Sequence, residues 1–251
     1  LNIAGCISAI SSITIDAPPP VPATPVITLT QPTCTTATGS VTITGTAGVT
    51  YSFDGNAYSS NLIYGGLAAG SSHTVIAKNA SGCISVAANV TINAQPVTPV
   101  ALATPATQTI CSGNPTAIAL TAIPGTTFSW TASATNVSGA TAGSGNLIAQ
   151  ILNTTGNVSG QVTYTVVPLA NGCTGLPIAV TVAVHPLPVA IANPVSQTIC
   201  SGQRANVNLT SLSDSGVTFN WTVVQTGVSG AVSGNGNSIS QILTTTTNTS
   251  G

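Results

Sequence analysis

QTICSG at 108–113 stands again, unchanged, at 197–202, displaced by 89 residues. Working outward, FSW at 128–130 returns as FNW at 219–221, and NVSG at 157–160 as NTSG at 248–251, both displaced by 91. A different unit repeats earlier: AGCIS at 4–8 comes back as SGCIS at 81–85, and SITI at 12–15 as NVTI at 89–92, 77 residues on. Self-similarity at such periods marks a tandem array of small modules rather than one large core. The expected boundaries are 1–17 for the C-terminal strands of a preceding module, 26–94 and 99–185 for two whole ones, and 189–251 for an incomplete one.

Between the repeats lie proline-bearing segments, APPPVPATP at 17–25, QPVTPVALATP at 95–105 and HPLPVAIANP at 185–194. Proline at this density favours extended, semi-rigid spacers, so an extended array is expected. Within the modules, Thr, Val and Ile recur in short runs whose branched side chains suit a pleated surface. Gly, Asn and Pro separate the runs as turns. TYSFD at 50–54, HTVIAK at 73–78, TFSWTA at 127–132, QVTYTVVP at 161–168 and PIAVTVAV at 177–184 all read as strands. The fold class is therefore all-β, in tandem β-sandwich modules.

Charge is almost absent. Lys78, Arg204, Asp16, Asp54 and Asp214 are the only charged side chains among 251 residues, where soluble domains average about 25%. Two basic residues cannot neutralise a phosphate backbone, which excludes nucleic acid as a partner. Apolar runs such as IAVTVAV at 178–184 are far too short for a membrane span.

The six cysteines sort by module. Cys34 and Cys83 fall in one and Cys111 and Cys173 in the next, so one bridge within each module is expected. Cys6 and Cys200 are the repeat counterparts of Cys83 and Cys111, and are expected to have no partner within these residues. Bridges of this kind imply an extracellular, oxidising setting.

The unit ending at Ile92, with GL…G…TVIAKNASGC…VTI, resembles the SprB repeat of large Bacteroidetes surface proteins. His73 stands where that repeat usually has Tyr, and Asn79 where it usually has Asp. The QTICSG…F-x-W…VTYTVVP…NGC…V-x-V unit resembles the PKD-like, immunoglobulin-like domains of the same proteins. Together these resemblances cover nearly the whole chain. They imply a very large secreted or cell-surface protein, exported by type IX secretion and used in adhesion or gliding motility.

Chemistry has little to build on. A Ser-His-Asp set is available only from His73, Asp54 and one of many serines, and His73 sits on a strand-like run with no nucleophile-elbow pattern. A packed or surface histidine is expected instead. No module has the carboxylate cluster a calcium site needs, so no metal or cofactor is expected. An isopeptide staple would have to use Lys78, with Asp54 the one acid in its module. Phe128/Trp130 and Phe219/Trp221 each share a strand face and read as core. Tyr58 and Tyr64 flank a loop and form the weak binding-surface candidate. The function expected is a non-catalytic structural stalk giving reach and stiffness, with surface glycans or neighbouring copies of the chain as partners. The alternatives are a self-associating extracellular fibre or sheath, and accessory modules of a secreted polysaccharide-degrading enzyme. The third module lacks counterparts of 161–168 and 177–184, so those strands are expected from a continuation of the chain or from a neighbour.

Overall fold

A computed structural model describes residues 4, 5, 7, 9–213 and 216–246. It forms two compact units, Leu1–Val97 and Thr98–Gly251, and every regular element described is a β-strand.

The first unit contains β1 (Ile27–Thr30), β2 (Thr38–Ile43), β3 (Val49–Phe53), β4 (Ile63–Ala68), β5 (Ser72–Asn79) and β6 (Ala88–Thr91). These make two antiparallel sheets, ordered β1-β2-β4 and β3-β5-β6. Period-two alternation sends Val41, Ile43, Tyr51, Phe53, Val75 and Ala77 into a shared core. The strand β4 departs from the sequence pattern, because IYGGLA carries two glycines and reads as a turn. It exists because β2 supplies its ladder, from Thr38↔Ala68 to Thr42↔Ile63, with an irregularity between Gly39 and Val41.

No strand is formed among the described residues before Ile27, against the expectation of terminal strands in 1–17. Ile13 and Ile15 are exposed. Their repeat counterparts, Val90 and Ile92, belong to or adjoin β6, which pairs with β5. No counterpart of β5 lies within these 251 residues to pair the first copy.

In the second unit, residues 102–185 hold β7 (Leu102–Thr104), β8 (Thr107–Cys111), β9 (Ile118–Thr121), β10 (Thr127–Thr135), β11 (Val137–Ser138), β12 (Gly143–Ser144), β13 (Leu147–Ile148), β14 (Asn153–Thr154), β15 (Gly160–Ala170), β16 (Cys173–Thr174) and β17 (Ile178–His185). The main sheet runs β12-β10-β15-β17-β8, the smaller one β13-β9-β7, and β11 pairs with β14. β8 lies parallel to β17, from Thr107↔Thr181 to Cys111↔His185. His185 is thus the last residue of a core strand, not part of a linker. Val162, Tyr164 and Val166 on β15, with Val180, Val182 and Val184 on β17, are wholly buried. They form one side of a core that also includes Ile118, Leu120, Phe128, Trp130, Ile148 and Leu152.

Beyond it follow β18 (Ala190–Asn193), β19 (Gln203–Ser211), β20 (Asn220–Trp221), β21 (Val228–Ser229), β22 (Gly234–Asn235) and β23 (Ser238–Thr245). β18-β19-β23-β21 form one sheet and β20-β22 another.

The cysteines do not pair as expected. Cys34 and Cys173 are each disulfide-bonded, but Cys83 and Cys111 are free thiols. Neither Cys34–Cys83 nor Cys111–Cys173 forms, and the register gives the reason. Cys111 stands opposite His185, next to the Gly160↔Val184 pair, whereas Cys173 stands opposite Ala170 at the far end of β15. Eleven residues of strand separate those ends by roughly 33 Å, far beyond the roughly 7 Å a disulfide spans. In the first unit, Cys34 lies in the β1–β2 connection, where Gln95 Nε2 donates to its carbonyl. Cys83 lies past Asn79, whose Oδ1 accepts its N–H at 2.9 Å. The eight-residue β5 holds these ends roughly 25 Å apart. Cys200 is exposed and free, and Cys6 lies outside the described residues.

Candidate functional site

The turn after β3 places Asp54 in the left-handed region (φ 51°), followed by Gly55 at 76°. Its carboxylate thereby folds back onto β5. Asp54 Oδ1 accepts the Thr74 N–H at 2.8 Å, and Oδ2 lies 2.7 Å from His73 Nδ1. On the other side of the ring, His73 Nε2 is 2.6 Å from Ser71 Oγ. The structure therefore assembles a Ser-His-Asp line from two residues that the sequence singles out and one that it does not. Ser71 is hidden among many serines; it lies in the turn just before β5, where its N–H bonds the Ala68 carbonyl.

The line is built as a latch rather than a nucleophile. A carboxylate only accepts, so Nδ1 donates to Asp54, while Nε2 accepts from Ser71 in the neutral ring and donates to it in the charged one. Ser71 Oγ, however, is also 2.6 Å from the Ala68 carbonyl, and one hydroxyl proton serves one acceptor. An acyl-transfer site also needs two unengaged N–H donors for the oxyanion. Here Gly70 N–H bonds Ile92 and Asn93, Ser71 N–H bonds Ala68, and Ile92 N–H bonds Ser71. Burial opposes the charged form of Asp54, but the His73 hydrogen bond, the Thr74 N–H and the His73 charge outweigh it and hold the carboxyl below its ordinary value. What the group does is tie the β3–β4 turn to the β4–β5 connection, which crosses from one sheet to the other.

Tyr58 and Tyr64 do not form one surface. Tyr64 stacks on Phe53 with ring centroids 4.1 Å apart, and Phe53 stacks in turn on His73 at 5.1 Å. Tyr58 lies apart, with Lys78 Nζ 5.2 Å above its ring. Lys78 thus makes a cation–π contact there. Among the described residues no three His, Cys, Asp or Glu side chains gather as a metal-ligand set, and no helix is long and apolar enough to cross a membrane.

In 99–185, Phe128 and Trp130 are core. Trp130 rests on Gly143, where a Cβ would come within 2.7 Å of the ring. Gln150 is bracketed behind it: Oε1 accepts from Thr141 N–H at 3.0 Å, Nε2 donates to Thr141 O at 2.9 Å, and Oε1 also accepts from Tyr164 OH at 2.9 Å. The following copy repeats the arrangement, a Cβ at Gly234 coming within 2.7 Å of the Trp221 ring, and the Gln241–Val232 bracket at 3.1 and 2.7 Å. Among its described residues it has no strand corresponding to β15.

The model of the PKD-like domain family matches residues 108–188 and 197–251. None of the curated proteins matches the chain. Among solved structures it is similar to the fibronectin(III)-like modules of Clostridium thermocellum CbhA, at 11% identity over 64% of this chain and 95% of that one, with a TM-score of 0.30. It is similar also to the protocadherin gammaB7 EC3-6 cis-dimer structure, at 14% identity over 90% and 71%, TM-score 0.36. The FN1-FN3 domains of chicken CNTN1 match at 10% identity over 90% and 89%, TM-score 0.24. The two stretches that fit the family model make up more than half of the sequence, and the chain belongs to the PKD-like domain family.

Proposed function

We propose that this chain is a non-catalytic spacer in a very large secreted or cell-surface adhesin or motility protein, its modules at 26–94, 99–185 and 189–251 providing reach and stiffness. The observation that carries this reading is the tandem PKD-like repeat itself, on a chain with five charged side chains in 251 residues. Such a surface responds little to salt or pH, and offers trypsin-like proteases only Lys78 and Arg204. The disulfide-bonded Cys34 and Cys173 fit an oxidising, extracellular compartment. The SprB-like pattern of 26–94 supports a gliding or adhesion protein exported by type IX secretion.

Small-angle scattering tests the spacer role. A compact globule of this length has a radius of gyration of about 18 Å; a spacer gives a value well above that. A measured radius near the globular one sinks the reading. Antibodies against 99–185 should label intact cells of the source organism without permeabilisation, and labelling confined to lysed cells would defeat the surface assignment. Self-association into a fibre is the second reading. A net charge of −1, which leaves little mutual repulsion, favours it, and concentration-dependent sedimentation would reveal it.

A further inference from the structure

Ahead of β1 the chain reads APPPVPATP through 17–25. Between 9 and 26 only Pro22 and Pro25 are half-buried, while Ile10, Ile13 and Ile15 are exposed. Apolar contact without selection would bury isoleucine before proline, so the segment is held where its prolines are. Pro19, Pro22 and Pro25 are spaced by three, one turn of a polyproline II helix, and therefore share a face. Pro22 and Pro25 lie along a slot of about 180 Å³ whose other walls include Val49, Tyr51 and Ala77.

The slot is built by the module itself. Tyr51 OH accepts the Thr46 N–H at 3.0 Å and donates to the Thr44 carbonyl at 3.4 Å, which fixes the ring. β5 runs out into a turn closed by Gly82 N–H to the Asn79 carbonyl and Asn79 N–H to the Cys83 carbonyl. That turn presents two side-chain donors to the segment. Asn79 Nδ2 donates to the Pro20 carbonyl at 2.9 Å, and the Cys83 thiol to the Pro19 carbonyl at 3.7 Å. Proline has no N–H, so a run of prolines offers only acceptors and is read by donors. At the other end of the segment Thr44 N–H donates to the Val26 carbonyl at 2.9 Å. An aromatic-walled slot for every third residue, with donors on the carbonyls between, is the chemistry that recognises a polyproline II helix.

We propose that this face of 26–94 is a binding site for polyproline II segments of the P-x-x-P-x-x-P type, filled in cis by Pro19–Pro25. Tyr51 walls the slot, and Asn79 and Cys83 read the carbonyls. The proline segment is thereby a docked strap of the module and not a free hinge. The inference rests on the contacts of the strap and stands whether or not the chain is a spacer.

The test follows alkylation of Cys83 by iodoacetamide in the whole chain, with the free thiols Cys111 and Cys200 as internal references. Replacing Pro19, Pro22 and Pro25 together by serine removes the stiffness of the segment and should speed Cys83 at least about tenfold. Cys111 and Cys200 should keep their rates. A synthetic peptide of residues 17–25 added to that variant should restore the protection, and a peptide carrying the same three serines should not. Asn79→Asp keeps the acceptor for the Cys83 N–H but loses the donor to Pro20. Added to the same variant, it should weaken the peptide's protection about fivefold, the effect of one hydrogen bond. Hydrogen exchange in 49–53 and 72–79 should be alike in all these chains. If the triple variant loses it, Asn79→Asp alone takes its place, with Cys83 about fivefold faster than in the unchanged chain. Cys83 alkylated at its original rate in the variant used overturns the proposal. Equal protection by the two peptides overturns it as well, and so does protection by neither.

Discussion

Tyr164 combines a wholly buried ring with a hydroxyl bonded to Gln150 at 2.9 Å. Burial pushes its pKa up to about 12, above the roughly 10 of an unfolded chain. Because the folded value is the higher one, its contribution to stability is complete below about pH 10 and drains away as pH rises through about 12. Tyr164→Phe should cost about 1 kcal/mol at neutral pH and flatten the alkaline limb; melting curves from pH 8 to 12 check both. Parallel limbs for the two proteins would show that the buried phenol is not the cause. The thiols give a second test at this scale. Alkylation of the native protein without reductant should label Cys83, Cys111 and Cys200, the half-buried Cys83 slowest, and Cys34 and Cys173 only after reduction. A peptide cross-linked through Cys34 and Cys83 would contradict the register. Sequence alone says which module each cysteine belongs to. Which end it occupies depends on strand direction and ladder register, which no local pattern carries.

Among the elements, long alternating strands are legible in the sequence and short or glycine-bearing ones are not. β15 and β17 alternate β-branched residues so regularly that their buried faces can be named from the sequence. β4 cannot, because its glycines read as a turn and only the ladder from β2 makes it a strand. The Asp54–His73–Ser71 latch is half legible for a related reason. Two of its members are rare residue types, but the third is a common one whose role depends on the turn that carries the chain from β4 to β5. Position 143 has to be glycine for a steric reason, since an added Cβ would press on the Trp130 ring at 2.7 Å. Gly143→Ala should therefore destabilise 99–185 by about 1–3 kcal/mol. Gly156→Ala, with nothing within 4 Å of the added carbon, should be close to neutral. Equal losses in urea denaturation would show that Trp130 has room to shift.

For the whole molecule, repeat spacing alone announces tandem β-sandwiches, and the family match at 108–188 and 197–251 falls on the same two stretches. What spacing does not announce is how β8, the second strand of 99–185, meets the last one. β8 and β17 run parallel, Thr107↔Thr181 at one end and Cys111↔His185 at the other. Tension along the backbone pulls β8 toward its N-terminus and β17 toward its C-terminus, in opposite senses along a shared axis. The evenly spaced bonds of a parallel ladder are then sheared together, and none can give way before the rest. Handles placed at Cys111 and just past His185 would instead grip the ladder at one end and peel it bond by bond. Forced rupture reports the rate over the unfolding barrier, so one protein pulled in these two directions should break at two different forces, the end-to-end one clearly higher. Equal forces would mean that the ladder does not bear the tension. With the difference found, the module is a directional fastener, firm against traction along the chain and easily opened from the side.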